Sequence, residues 1–152
     1  MHTLSLSLRA SLLATTLAFV GCAPMNPASP AAMSDNASFA TTLSGAAEVP
    51  AVPSAGTGNL DATLDKSSGM LRWKLNYSGL SGPATAAHFH GPAMAGANAG
   101  VAVPIPNATS PAEGSATLTS AQVADLIAGK WYVNVHTAAN PGGEIRGQLT
   151  AR

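Results

Sequence analysis

The chain has 152 residues, no net formal charge and only 9 % charged residues, with lysine and arginine scattered singly. That suits one modest domain and lacks the basic stripe that binding a nucleic-acid backbone requires. Ala, Gly, Ser, Thr and Pro are abundant, a composition of short strands joined by many turns, so an all-β domain is expected.

At the N-terminus, MHTLSLSLRA carries one arginine and leads into the apolar run SLLATTLAFV and then GCAP, the layout of an export signal. The run, about a dozen apolar residues, falls short of the roughly 20 that a membrane-spanning helix needs. Phe19-Val20-Gly21-Cys22 resembles the lipobox of bacterial lipoproteins, with Phe in place of the usual Leu. The resemblance implies a signal peptide over residues 1–21, lipidation of Cys22, and attachment to a membrane of the bacterial cell envelope, periplasmic or at the outer membrane. Cys22 is the only cysteine, so lipidation would leave no thiol for a disulfide, a nucleophile or a soft metal ligand. The stretch APMNPASPAAMSDNA has no apolar period and reads as a tether, which gives residues 22–37 to anchor and linker and 38–152 to the domain.

Within the domain, period-two alternation at Phe39, Thr41 and Leu43, at Leu60, Ala62 and Leu64, and at Leu71, Trp73, Leu75 and Tyr77 predicts half-buried strands. DKSSG joins the second and third as a hairpin, with Asp to cap the turn and Gly to take a positive φ. Further strands are expected at 84–90, 99–105, 114–118, 130–137 and 144–150. Only TSAQVADLIAG reads as helix, with Thr119 and Gln122 forming a capping box and Gly129 as the stop. The result is an antiparallel, Greek-key-like β-sandwich or flattened barrel of about eight short strands with one short crossover helix.

The segment AHFHG places His88 and His90 on the same side of one strand, at roughly 6.6 to 7 Å spacing, with Phe89 pointing to the core. In WYVNVHT the apolar set Trp131, Val133 and Val135 takes the inner face, which leaves Tyr132, Asn134 and His136 facing outward. In EIRGQLT the inner set is Ile145, Gly147 and Leu149, and the outer set is Glu144, Arg146 and Gln148. AANPGG makes these two strands a hairpin, and a register that respects parity sets His136 opposite Glu144 and Asn134 opposite Arg146. His88, His90 and His136 are therefore the candidate metal ligands, with Met94 available as a soft axial ligand. Glu144, Arg146, Asn134 and Glu48 are candidates for the surrounding layer, Glu144 as a carboxylate partner for His136 and Arg146 as an ion-pair partner of Glu144 or Glu48. Three imidazoles with a thioether favour copper, with zinc as the other candidate.

The pieces LSGAAEVPAV, LNYSGLSGPATAAHFHGPA and WYVNVHTAANPGGEIRGQL are similar to the CHRD domain, the module first described in chordin and found in many bacterial envelope proteins. The resemblance runs from Leu43 to the end and implies a β-sandwich. For bacterial members it implies no settled activity, while the chordin members accompany growth-factor binding. A more local similarity links His88, His90, His136 and Arg146 to the copper-site pattern of Cu,Zn superoxide dismutases. The bridging histidine, zinc loop and disulfide of that family are missing here, so a two-metal dismutase is excluded. Three readings follow: a metal-binding carrier, buffer or redox site; a non-metal module binding a protein or glycan at the cell surface; and a single-copper enzyme acting on superoxide. No nucleophile triad, phosphate-binding glycine loop or acidic dyad stands out, so no catalytic residue is assigned.

Overall fold

The computed structural model describes residues 35–152. The signal-like segment, Cys22 and almost all of the tether lie outside the described residues. The described part consists of β1 (Asn36–Ser44), β2 (Thr57–Asp65), β3 (Met70–Ser78), β4 (Ala84–His90), β5 (Val101–Pro104), β6 (Ala112–Thr117), helix α1 (Ser120–Ile127), β7 (Tyr132–Thr137), β8 (Ile145–Gln148) and the two-residue β9 (Thr150–Ala151). β1 starts at Asn36, inside the stretch assigned to the tether. The strand expected over 144–150 is divided: Leu149 N–H still reaches the Trp131 carbonyl, and Thr150 and Ala151 then pair with Ala40 and Phe39 of β1.

Local chemistry accounts for the two turns foreseen in the sequence. Asp65 Oδ1 accepts from the backbone N–H of Ser67 and Ser68, and Gly69 takes a φ of 72°, so β2 and β3 pair in register from Thr57↔Ser78 to Asp65↔Met70. Thr119 and Gln122 cap α1 reciprocally, and Gly129 follows the helix at a φ of 71°.

The antiparallel sheet runs in the order β5-β4-β7-β8-β1-β2-β3-β6, with β9 beside β1. β3 and β4 are consecutive in sequence but far apart in that order, yet the rings of Trp73 and Phe89 meet edge to face at 5.2 Å. The sheet therefore curls over itself into a nearly closed barrel or sandwich. Its inner face is a single apolar core that includes Phe39, Leu60, Leu71, Phe89, Val133, Ile145 and Leu126 of α1. Each such side chain contributes roughly 1.5–3 kcal/mol relative to exposure.

One expectation needs correcting. The residues assigned to the outward face of β7 and β8 are not on the solvent surface: Tyr132, Asn134, His136, Glu144 and Arg146 are all buried, as is His90, and all six residues of β7 are buried. β7 lies between β4 and β8, and loops cross its second face. Asn98 and Ala97 bind Arg146 from residues 91–100, Pro141 binds His136 from residues 138–144, and Asn98 Nδ2 donates to the Val49 carbonyl in the turn after β1. The barrel wall thus has an apolar layer on one side and a polar, loop-covered layer on the other.

Candidate metal centre

The register of β4 on β7 builds the site. His88 pairs with Asn134, His90 with Tyr132 and the small Ala86 with His136, so His136 lies diagonally from His88 across the ladder. His88 Nδ1 is 3.1 Å from His136 Nε2, and one ligand atom from each of His88, His90 and His136 can be chosen so that all lie within 4.8 Å of one another. The sequence named these three residues, and the fold brings them together.

Hydrogen bonding fixes the tautomers of two rings. The Pro141 carbonyl can only accept, so His136 Nδ1, 3.0 Å away, carries the proton and Nε2 offers its lone pair. His88 Nδ1–H therefore donates to His136 Nε2. Burial pushes His88 below the ordinary histidine value, and repulsion from the His136 and His90 charges adds to it. Burial also lowers His136; the bond to Pro141 opposes the shift and His90 reinforces it. Both rings are held neutral, the form that binds a metal.

The surrounding layer differs from the sequence-based expectation in three places. Glu144 does not serve His136. Its fully buried carboxylate accepts from Ser54 Oγ at 2.7 Å, Ser81 N at 2.7 Å, Ser81 Oγ at 2.5 Å and Thr137 Oγ1 at 2.6 Å. Burial alone would raise its pKa, but these donors hold it at about 2. The imidazole partner expected of Glu144 is instead the Pro141 carbonyl, because the β7–β8 turn folds back over His136.

Arg146 makes no ion pair with Glu144 or Glu48 within 4 Å among the described residues. Its guanidinium lies 3.4 Å over the Tyr132 ring, with Nη1 donating to Asn98 Oδ1 at 2.9 Å and Nη2 to the Ala97 carbonyl at 2.7 Å. Tyr132 in turn stacks on His90, with ring centroids 4.8 Å apart and planes 4° from parallel. Met94 is 61 % exposed on the loop rather than buried with the histidines' neighbours.

Asn134 and Glu48 do stand behind the histidines. Asn134 Oδ1 is 3.0 Å from His90 Nε2, and the Asn134 amide nitrogen and Glu48 Oε1 both lie against Gly143, whose φ of 129° and missing side chain let the loop pass flush over them. Burial raises the Glu48 pKa, opposed by the Arg146 charge, the Asn134 amide and the Val49 N–H. Sequence reasoning missed Tyr132 as the platform for His90, and the Ala99 and Pro141 carbonyls; a backbone carbonyl leaves no residue-type signal to find.

The model of the CHRD domain family matches residues 39–149. This chain belongs to the CHRD domain family. No curated protein and no solved structure matches it. CHRD is an extracellular type of domain, and no helix among the described residues is long and apolar enough to cross a membrane. Two of the CHRD-like pieces, LNYSGLSGPATAAHFHGPA and WYVNVHTAANPGGEIRGQL, supply β4, β7 and β8 and with them all three imidazoles.

Proposed function

We propose that this CHRD domain binds one transition-metal ion, copper in preference to zinc, through His88, His90 and His136, as the carrier, buffer or redox site of an exported, lipid-anchored envelope protein. The observation that carries the reading is the convergence of three ring nitrogens within 4.8 Å inside a loop-covered polar layer. Two neutral imidazoles whose pKa values lie below the ordinary one, and a backbone carbonyl that turns the His136 lone pair toward His88, are the features a metal site uses. The superoxide-directed reading has less support, because it needs Arg146 to attract an anion. That guanidinium is buried, committed to Asn98 and Ala97 and stacked on Tyr132.

The test is titration of the metal-free full chain with Cu(II) and Zn(II), beside a protein in which His88, His90 and His136 are all alanine. One equivalent of Cu(II) should bind the parent, more tightly than Zn(II), and the triple variant should bind neither at that site. Equal Cu(II) binding by the two proteins would refute the assignment.

A further inference from the structure

The three histidines are not equally free to bind. His88 Nδ1 and His136 Nε2 face each other at 3.1 Å, and an ion at the usual metal–nitrogen distance of roughly 2.0–2.1 Å from both would subtend an angle of about 98°. That angle lies between square-planar and tetrahedral values, so the pair suits chelation once His88 carries its proton on Nε2 and frees Nδ1, the nitrogen that otherwise donates to His136. His90 is different: its Nδ1 is 3.1 Å from the Ala99 carbonyl and its Nε2 is 3.0 Å from Asn134 Oδ1, both oxygen acceptors. A neutral imidazole has one N–H and donates to only one of these oxygens, while the other oxygen covers the second nitrogen, so no lone pair of His90 faces open space.

The two restraints on His90 are of unequal strength. Asn134 is buried and its amide is backed by Glu48, so the Nε2 side is fixed. Ala99 belongs to residues 91–100, and most of that loop is exposed. Five contacts fasten the Ala99 end of the loop: Arg146 Nη1 to Asn98 Oδ1, Arg146 Nη2 to the Ala97 carbonyl, Asn98 Nδ2 to the Val49 carbonyl, Ala99 N–H to the Tyr132 hydroxyl, and the Tyr132 hydroxyl to the Ala99 carbonyl. Asn98 makes two of the five and is itself exposed.

We propose that residues 91–100 act as a strap that withholds His90 from the metal, so that His88 and His136 hold the ion and His90 joins as a third ligand only when the strap lifts. The proposal rests on the metal-binding reading above and adds a regulated coordination number to it. A strap that is closed most of the time weakens the third ligand by the fraction of open protein.

The experiment measures Cu(II) affinity by chelator competition on the full chain. His88→Ala and His136→Ala should each weaken binding on the order of 100-fold, and His90→Ala about threefold or less. Asn98→Ala cuts two strap contacts at an exposed position and should tighten binding roughly fivefold, a gain that disappears when His90→Ala is added. Because His90 is buried and its alanine variant can fail to fold, ring-nitrogen NMR of the parent and of Asn98→Ala with Zn(II) supplies a second reading. In the parent, His88 and His136 should shift and His90 should not; in Asn98→Ala all three should shift. The strap is overturned if His90→Ala costs as much as the other two substitutions, if the gain in Asn98→Ala survives without His90, or if His90 shifts fully in the parent. If none of the single His→Ala changes alters affinity, the metal reading falls and the strap falls with it.

Discussion

The two faces of β7 are equally buried and chemically opposite. Val133 and Val135 enter an apolar core formed by the curl of the sheet, whereas Tyr132, Asn134 and His136 enter a layer of rings, amides and backbone carbonyls closed by loops. Alternation along a strand reports polarity, and polarity implies exposure only where nothing covers the face. Here the cover is made of backbone, whose carbonyls and N–H groups match polar side chains, so a second interior forms without apolar residues to announce it.

The largest effect that tests this comparison is loss of packing. Trp131→Ala should destabilise the domain by about 3–5 kcal/mol as a core cavity. Tyr132→Ala should cost about 3 kcal/mol, because it removes a buried ring held between Arg146 and His90. Denaturant melts of both variants check this, and a Tyr132→Ala cost under about 1 kcal/mol would mean that the polar layer is not packed.

Next comes Glu144, which ties the segments carrying Ser54, Ser81 and Thr137 together. Glu144→Gln should cost about 2 kcal/mol, in the range of charged hydrogen bonds. The folded-state pKa lies at about 2, below the ordinary 4.5, so the stabilisation is complete above the unfolded value and drains away as pH falls from about 5 towards 2. Melts across that window should show the parent losing stability with a slope that the Gln variant lacks.

How far the sequence reached follows the same division. The eight strand positions, the β2–β3 hairpin, the capped helix and the register of Asn134 on Arg146 were all legible, because each rests on local residue chemistry or on period-two parity. The three histidines were legible as sharing the side of the strands away from Phe89 and Val135. Which strands are neighbours was not, since β4 meets β7 across 41 intervening residues, 91–131, that carry no pairing signal. Nor were the ring partners: Glu144 matched His136 in parity, but its side chain had four nearer donors, and the Pro141 carbonyl reached the imidazole instead.

A smaller effect concerns protons at the site. The lowered pKa values of His88 and His136 mean that protons compete for the metal only below the ordinary histidine value of 6.5, so Cu(II) affinity should hold as pH falls through that value and drop only below it. Both groups also favour the folded state above the unfolded value of 6.5, and that contribution is lost as pH drops below it. Affinity titrations at successive pH values would show the loss already under way at about pH 6.5 if the rings were solvent-exposed. The smallest effect is expected at Met94: Met94→Leu should leave both Cu(II) affinity and melting behaviour unchanged, since its side chain stands in solvent.

The central claim is that the covered polar layer holds one ion on imidazole nitrogens. X-ray absorption at the copper edge, on the full chain loaded with one equivalent of Cu(II), reads that directly. Two to three imidazole nitrogens at about 2.0 Å, with the multiple-scattering pattern of the rings, are expected, and this signal should vanish in the His88→Ala/His136→Ala protein. A shell of oxygen alone, or an imidazole signal unchanged in the double variant, would contradict the account.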